Sequence, residues 1–382
     1  MNNENNYQQE IIETPENVSD ENVIEKKKLP LFSKILFIIA AFCALLYALF
    51  VFFPAFSDFF NKYISSVFRA TLAFLTSWIP FSLAEYMLLL LPLAFIAASV
   101  FAIKRYADSW RNVGIFCLIL LSIVSYIFSS FTIGFVPAYR GTPLDQKLGL
   151  DKKEVSAEEL LDTSLILADK INADIDEILF TPEGFSAMPY GYEELNDKIL
   201  DAYDKAVKKY DFIQDLHSKI KPIMLSEPMT YTHISGVYTF FTGEANFNTN
   251  YPDYVIPYTV AHEFAHQRGI ASEDEANFVA FLVCIESDDA YIRYSAYVNL
   301  FEYVASALIA ANKNYYAAVY NTLPNELIKE FSAYADFFEK YENSVVGEIS
   351  GNLNETFIAI NGARSYGMVV DLAVAYYKVS NA

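Results

Sequence analysis

The sequence contains few cysteines, and basic residues are much less frequent than acidic ones. Its three cysteines lie in apolar or helical patterns and form no CxxC pair. The sequence therefore predicts neither a disulfide framework nor a cysteine metal site. Acidic residues outnumber basic ones by 47 to 27, and the formal net charge is −20. This charge would be repelled by a phosphate backbone, which excludes nucleic acid as an expected partner.

Long apolar runs are abundant, and 54% of the 382 residues are hydrophobic. Residues 35–53, 86–103 and 113–136 are each long enough to cross a hydrocarbon core of about 30 Å as a helix. The sequence predicts a transmembrane region over residues 30–136, with the lipid bilayer as a partner. Residues 1–29 are polar and mostly acidic, and they predict a disordered cytoplasmic tail.

Basic residues set the expected orientation of these spans. Lys26–Lys28 precede the first span, and three basic residues lie between the second and third: Lys104, Arg105 and Arg111. Cytoplasmic loops are enriched in such residues, so we expect both regions to be cytoplasmic and residues 137–382 to lie outside a bacterial cytoplasmic membrane. A fourth span at residues 60–79 is the alternative. The charge bias favours an amphipathic helix there, in the outer interface with Trp78 at headgroup level.

Residues 137–382 predict one domain that is mostly α with a small sheet. Ser156 and Glu159 form a capping-box pattern at a helix start. A second helical pattern, within residues 192–220, has an apolar face of Leu195, Ile199, Tyr203 and Val207. Residues 230–241 are rich in Thr, Tyr and Phe and predict one or two strands. Helical patterns resume near Tyr254, with breaks at Gly269, Pro324, Gly351 and Gly362.

The segment HEFAH, residues 262–266, carries the strongest chemical signal. His262 and His266 are four residues apart and project from the same face of a helix. Two imidazoles in this arrangement can bind one Zn²⁺ at ~2.0–2.1 Å each. Glu263 is the expected general base, which takes a proton from the attacking water. Two ordinary helix histidines are the alternative, but chance placement gives only ~0.003 such motifs per chain.

A catalytic zinc needs a third protein ligand. Gly269 can end the motif helix with a positive φ, and Ser272 is the expected N-cap of a helix that begins with Glu273, Asp274 and Glu275. We prefer Glu273 as the ligand; Glu275 lies about 200° around the helix and is the second choice. Asn277, four residues after Glu273, is expected to orient a ligand histidine. The alternative for the three acids is a favourable interaction with the helix dipole.

The remaining candidate residues leave alternatives open. Glu244, Asn246 and Asn248 precede the motif helix, and they either line the substrate cleft or belong to an ordinary polar segment. His217 and His233 lack a partner at metal-binding spacing in the sequence, so we expect them to be ordinary residues.

The stretch HEFAHQRGIASEDEANFVAF, with FTGEANFN upstream and three N-terminal spans, resembles the bacterial membrane-protein family called domain of unknown function 3810. The resemblance covers the third span to the C-terminus. Residues 273–277, ExxAN, also resemble the ExxAD of zinc peptidases in which the first Glu is the third metal ligand. That resemblance implies a ligand role for Glu273. Asn277 stands where those peptidases have Asp.

The expected protein is membrane-anchored and mainly α, with a three-helix transmembrane region followed by an α+β zincin-like domain that has a small sheet. Its expected activity is that of a Zn²⁺-dependent metallopeptidase that cleaves a peptide or protein substrate at the cell envelope. The alternatives are a non-catalytic, zinc-containing sensor or scaffold and an amide hydrolase acting on cell-wall material. Glu263 favours hydrolysis, since a scaffold has no need of a residue that is not a ligand.

Overall fold

Helices account for most of the chain in the computed structural model, which describes residues 27–151, 153, 155–341 and 367–380. Almost all of the predicted disordered tail, residues 1–29, lies outside the described residues. The breaks predicted at Gly351 and Gly362 also lie outside them. The described residues form an N-terminal group of long apolar helices and a helical domain around one three-stranded sheet.

Three helices of the N-terminal region correspond to the predicted spans. In chain order the region contains α1 (Leu31–Phe52), α2 (Pro54–Phe60), a π-helical turn (Asn61–Ser65), α3 (Ser66–Ser77), α4 (Leu83–Tyr106) and α5 (Trp110–Gly134). Among the described helices, α1, α4 and α5 are long and apolar enough to cross a membrane by length and composition. The three predicted apolar helices are therefore confirmed.

Helices α1 and α5 pack side by side and run in the same direction. The Ser122 hydroxyl donates to the Ser33 hydroxyl at 3.0 Å. Further along both helices, the Cys43 thiol lies 4.0 Å from the carbonyl oxygen of Ser129. Both helices therefore end on the side where the helical domain begins, as a topology with three crossings requires.

Helix α3 packs against the domain and continues, through the π-helical turn, the helical run that begins with α2. Its C-terminal end is held by Lys221, whose Nζ donates to the carbonyl oxygens of Thr76 (3.0 Å) and Ile79. Its outer side chains are exposed: Phe74, Leu75 and, just beyond the helix, Trp78. Helix α3 thus contacts the domain on one side and exposes an apolar face on the other. This arrangement agrees with a helix that lies beside the spans. Its place in the interface remains a prediction.

The domain begins with four helices: α6 (Val136–Arg140), α7 (Leu144–Leu148), α8 (Ala157–Asp174) and α9 (Tyr192–Lys209). The capping box at α8 is confirmed: Glu159 N donates to Ser156 Oγ, and Ser156 N donates to Glu159 Oε2. Helix α9 buries Leu195, Ile199 and Tyr203 as predicted. It ends at Lys209, before the end of the helical pattern predicted within residues 192–220, because Tyr210 adopts an extended backbone conformation.

A small mixed sheet precedes the motif helix. Its strands are β1 (Ile220–Pro222), β2 (Gly236–Thr239) and β3 (Glu244–Phe247), and the short helix α10 (Ser226–Thr230) lies between β1 and β2 in the chain. The strand order is β1-β3-β2, with β1 parallel and β2 antiparallel to β3. The predicted strand over residues 230–241 corresponds only to β2. All four residues of β3 are buried, so this strand has no alternation of polar and apolar residues to reveal it.

The domain core consists of the motif helix and the helices around it. The helices are α11 (Val255–Gln267), α12 (Glu273–Cys284), α13 (Ala290–Ala311), α14 (Lys313–Tyr320), α15 (Asn325–Glu339) and α16 (Gly367–Ser380). Helix α11 is buried along nearly its whole length and contacts β2, β3, α9, α12 and α13. Helix α12 buries Phe278, Phe281 and Leu282 as predicted. The predicted break at Pro324 is also present, since this residue precedes α15.

Candidate metal centre

A tight turn at Gly269 reverses the chain between α11 and α12. Gly269 has a φ of +87°, which disfavours any residue with a side chain. Its N–H donates to the His266 carbonyl at 3.0 Å, and Ile270 N donates to the Ala265 carbonyl at 3.1 Å. Ser272 occupies the N-cap position of α12 as predicted, although its side chain makes no cap hydrogen bond. The turn therefore returns the start of α12 to the face of α11 that carries the histidines.

His262, His266 and Glu273 come together in space. Glu273 Oε2 lies 3.2 Å from His262 Nε2 and 3.4 Å from His266 Nε2. The two imidazole rings are perpendicular, with centroids 4.6 Å apart. Among the described residues, these three side chains form a group whose ligand atoms all lie within 4.8 Å of one another.

The spacing of these atoms fits a tetrahedral zinc ion. With zinc–nitrogen and zinc–oxygen bonds of ~2.0–2.1 Å, two ligands of a tetrahedral site are about 3.3 Å apart. The two Nε2-to-Oε2 distances, 3.2 and 3.4 Å, are close to this value. Two imidazole nitrogens and one carboxylate oxygen are also a donor set typical of catalytic zinc, which keeps one position open.

The ring of His266 is held by the backbone. Its Nδ1 lies 2.8 Å from the carbonyl oxygen of Ile270, which can only accept a hydrogen bond. Nδ1 therefore carries a proton, and Nε2 is the ring atom that faces Glu273 and is available to a metal. The sequence predicts that Asn277 orients a ligand histidine. Within the described part of the chain its side chain bonds to neither ring, and Nδ1 of His262 is buried without a hydrogen-bond partner.

Glu275 points away from the cluster. Its Oε1 accepts a hydrogen bond of 2.8 Å from the backbone N–H of Leu144, the first residue of α7. Two positions along a helix are separated by about 200°, so Glu273 and Glu275 cannot both face the histidines. The structure thus places the first-choice residue, and not the second choice, beside His262 and His266.

Glu263 is buried beside the cluster and against strand β2. A Cβ atom at Gly236 would lie 2.5 Å from Glu263 Oε1, so only glycine leaves room for this carboxylate. Burial raises the pKa of Glu263 to about 7, although the two neighbouring histidines and the backbone N–H of Tyr238 oppose the increase. Its Oε2 has no hydrogen-bond partner among the described residues. A buried carboxylate with one oxygen free is suited to accept a proton from a molecule bound at the site.

In a comparison with known protein families, residues 56–374 match the family described as protein of unknown function (DUF3810). The chain belongs to the DUF3810 family. The match includes α11 and α12 and begins in α2, well before the third span at which the resemblance was expected to start. No curated protein and no solved structure matches this chain.

Within the DUF3810 match, residues at and just after the end of α5 also reach the cluster. The Phe135 ring lies 6.1 Å from the His266 ring and 5.6 Å from the Tyr238 ring, between centroids. Burial and the charge of Glu273 raise the pKa of Tyr139 well above its usual range, so its phenol stays protonated. Nothing in the local sequence indicates these contacts, because Phe135 and Tyr139 precede the motif by more than one hundred residues.

The three predicted cleft residues have structural roles in this DUF3810 chain. Glu244 accepts hydrogen bonds of 3.0 Å from the backbone N–H groups of Leu83 and Ala84, at the start of α4. Asn246 donates to the Val237 carbonyl at 3.0 Å, and Asn248 donates to the Ile234 carbonyl at 3.2 Å. All three are buried, with 1% exposure, so they hold the sheet and its neighbours together and do not line an open cleft.

The other two histidines lie outside the cluster. His217 is exposed but not isolated in space: its Nε2 lies 3.1 Å from Asp204, and Asp215 is also near. Among the described residues these three side chains, of which Asp215 and His217 are exposed, form a second group with ligand atoms within 4.8 Å of one another. His233 has an unusual positive φ of 57°, and its ring stacks on Phe338 with a centroid distance of 5.8 Å.

Proposed function

We propose that this protein is a membrane-anchored, zinc-dependent hydrolase that cleaves peptide bonds outside the cytoplasmic membrane. The observation that carries the proposal is the convergence of His262, His266 and Glu273, with the Glu263 carboxylate buried next to them. His262 Nε2, His266 Nε2 and Glu273 Oε2 would hold the ion. When bound, Zn²⁺ supplies Lewis-acid polarisation of a carbonyl and lowers the pKa of water.

Glu263 supplies the base in this proposal. The environment that raises its pKa to about 7 lets it both accept a proton from the attacking water and return it to the leaving amine near neutral pH. Its unpartnered Oε2 is the atom that would hold this proton. Because Glu263 is not one of the three ligand residues, a purely structural zinc site would not require it.

Strand β2 supports a peptide as the substrate. It is an edge strand of the sheet, and its backbone N–H at Tyr238 lies toward Glu263. The outer backbone groups of an edge strand can pair with an extended peptide, which aligns successive peptide bonds along the strand. Gly236 keeps the backbone of β2 close to the base. An extended chain paired with β2 would thus pass next to Glu263.

The membrane part of the proposal is supported by α1, α4 and α5, which are long and apolar enough to cross a bilayer. Lys104, Arg105 and Arg111 lie at the opposite end of these helices from the domain. A cytoplasmic position of these basic residues places the domain outside.

The test compares Glu263→Gln with His262→Ala in the purified full chain. Zinc is measured by mass spectrometry, and hydrolysis is measured on a peptide library. We expect Glu263→Gln to keep about one zinc per chain and lose hydrolysis by at least ~10², the usual contribution of a general base. His262→Ala should lose both zinc and hydrolysis. Full activity in Glu263→Gln, or wild-type chain that binds no zinc, would contradict the proposal. Glu275→Gln is the control that should retain both.

A further inference from the structure

The candidate metal centre rests directly on the end of the third candidate span. Helix α5 ends at Gly134, and the ring of the next residue, Phe135, lies 6.1 Å from the His266 ring. One turn earlier, the Phe131 ring lies 5.1 Å from the Phe240 ring in the turn after β2. Both the helix that carries the histidines and the strand beside Glu263 therefore contact the last turn of this span.

The second candidate span is tied to the same part of the domain at its start. Glu244 of the central strand β3 bonds to the first two backbone N–H groups of α4. In return, Glu85 of α4 accepts hydrogen bonds from the backbone N–H groups of Met224 and Leu225, at 2.9 and 2.7 Å. These paired contacts keep the sheet at a fixed height above the ends of the spans.

Apolar side chains are exposed at the level of these contacts. Phe81 precedes α4, and Met224 and Leu225 bond to Glu85; their exposed fractions are 43, 60 and 39%. Trp78, at the end of α3, is 77% exposed. Large apolar groups gathered at the ends of spans are favoured at the headgroup layer, where aromatic and aliphatic side chains leave water. The bilayer surface is the partner that covers them.

The length of α5 gives the height of the site above the hydrocarbon. A helix of 25 residues is about 37 Å long, whereas the hydrocarbon core is about 30 Å thick. The end of α5 therefore emerges into the headgroup layer, which is roughly 5–7 Å thick on each side. Phe135 follows this end directly and its ring lies 6.1 Å from the His266 ring, so the end of α5 and the cluster are separated by one phenylalanine side chain and this gap.

We infer that the substrate is itself tethered to the membrane, and that this hydrolase cuts it within about six residues of its membrane anchor. An extended residue spans about 3.3–3.6 Å, so six residues reach about 20 Å, from the edge of the hydrocarbon core to the cluster. This inference rests on the proposed function. A folded soluble protein cannot bring a peptide bond to headgroup depth, whereas a chain that leaves a lipid anchor or a transmembrane helix passes through this depth within a few residues. Tethering also raises the effective concentration of the peptide bond at the site.

The test uses the full chain, loaded with zinc, in nanodiscs of phosphatidylethanolamine and phosphatidylglycerol. One randomised peptide library is offered in three forms: joined to a dipalmitoyl lipid by a two-residue spacer, joined by a roughly 30-residue Gly/Ser spacer, and free in solution. Mass spectrometry gives the rate and the position of each cut, and Glu263→Gln gives the background. The long spacer keeps the peptide attached to the lipid but has an r.m.s. span of about 30 Å. It therefore separates the effect of the peptide's distance from the membrane surface from the effect of attachment itself.

We expect the short-spacer library to be cut at least ~10-fold faster than the long-spacer library, and faster still than the free library, since effective concentration falls steeply with linker length. Equal rates for the two spacers, or faster cleavage of the free peptide, would overturn the inference and leave the hydrolase proposal standing. Cleavage of none of the three forms above the Glu263→Gln background would overturn both.

Discussion

The side chain of Arg69 donates a hydrogen bond from Nε to the carbonyl oxygen of Gln267 at 3.1 Å, across 198 residues of sequence. Its Nη1 also donates to the carbonyl oxygen of Gly134 at 2.8 Å. One buried guanidinium thus satisfies carbonyls at the C-terminal ends of both the motif helix α11 and the span helix α5. Such carbonyls have no partner within their own helix, and a positive charge beside them is also favoured by the helix dipole.

Replacing Arg69 should therefore disturb the metal centre and the fold together. Arg69→Met leaves the Gln267 and Gly134 carbonyls buried without a donor, at roughly 1–3 kcal/mol for each group. We expect a lower Tm in detergent and a lower zinc content. Lys313→Met, which removes an exposed positive charge, is the matched control and should change neither. Unchanged Tm and zinc content in Arg69→Met would show that these helix ends do not depend on the guanidinium.

Of the three acidic residues at the start of α12, Glu273 and Glu275 should differ in their effect on zinc. Glu273 faces both histidines, whereas Glu275 accepts a hydrogen bond from Leu144 N. Glu273→Gln should reduce zinc affinity strongly, because the remaining pair of imidazoles binds the ion poorly. Glu275→Gln should retain zinc. Competition with a chromophoric chelator measures both affinities, and the reverse order would exclude Glu273 as the third ligand.

Tyr139 is the phenol that we expect to assist hydrolysis. Burial and the charge of Glu273 raise the pKa of this phenol, so its hydroxyl stays protonated. A protonated hydroxyl beside the reacting carbonyl can donate a hydrogen bond to a developing oxyanion. Tyr139→Phe should lower kcat by about 10²-fold at unchanged zinc content. Tyr320→Phe, a half-exposed tyrosine on α14, is the control; equal kcat in both variants would remove Tyr139 from the reaction.

The stability of the domain should depend on the ionisation of Glu302. Burial, followed by the nearby charge of Glu330, raises the pKa of Glu302 to about 7. An unfolded Glu has a pKa of about 4.3, so the folded chain binds more protons than the unfolded chain between these values, and stability falls as pH rises through this window. Above about pH 7 the full penalty is present.

Glu302→Gln removes this penalty. At pH 8 we expect its Tm to exceed that of the wild type by at least ~2 °C, which corresponds to about 1 kcal/mol for a domain of this size. The difference should shrink toward pH 4.5, where the wild-type carboxyl is protonated in the folded state. The exposed Glu326→Gln is the control with no such pH dependence expected. A constant Tm difference across this range would show that Glu302 is not the titrating group.

The orientation in the membrane can be checked with single cysteines in a Cys117→Ser background. A cysteine at Glu193, exposed on α9, should react with an impermeant thiol reagent in intact cells. A cysteine at Ala107, between the second and third spans, should react only after the cells are permeabilised, because the basic loop is expected in the cytoplasm. Labelling in the opposite pattern would place the domain in the cytoplasm.

The sequence alone determined the features that depend on local periodicity and length. Three apolar runs predicted three long helices, the capping box predicted the start of α8, and the spacing of His262, His266 and Glu273 around Gly269 predicted one cluster. The helix predictions are confirmed, and the three side chains lie together, because helix geometry and one tight turn fix the relative positions of residues three to eleven apart.

Only the tertiary structure decided which distant residues serve that cluster. Arg69 and Phe135 come from the N-terminal helical region and Tyr139 from α6. Glu244, predicted to line a cleft, instead binds the start of α4. β3 was hidden because it is buried on both faces. Such contacts join segments as far as 198 residues apart, and they follow from how whole helices pack, which no local pattern encodes.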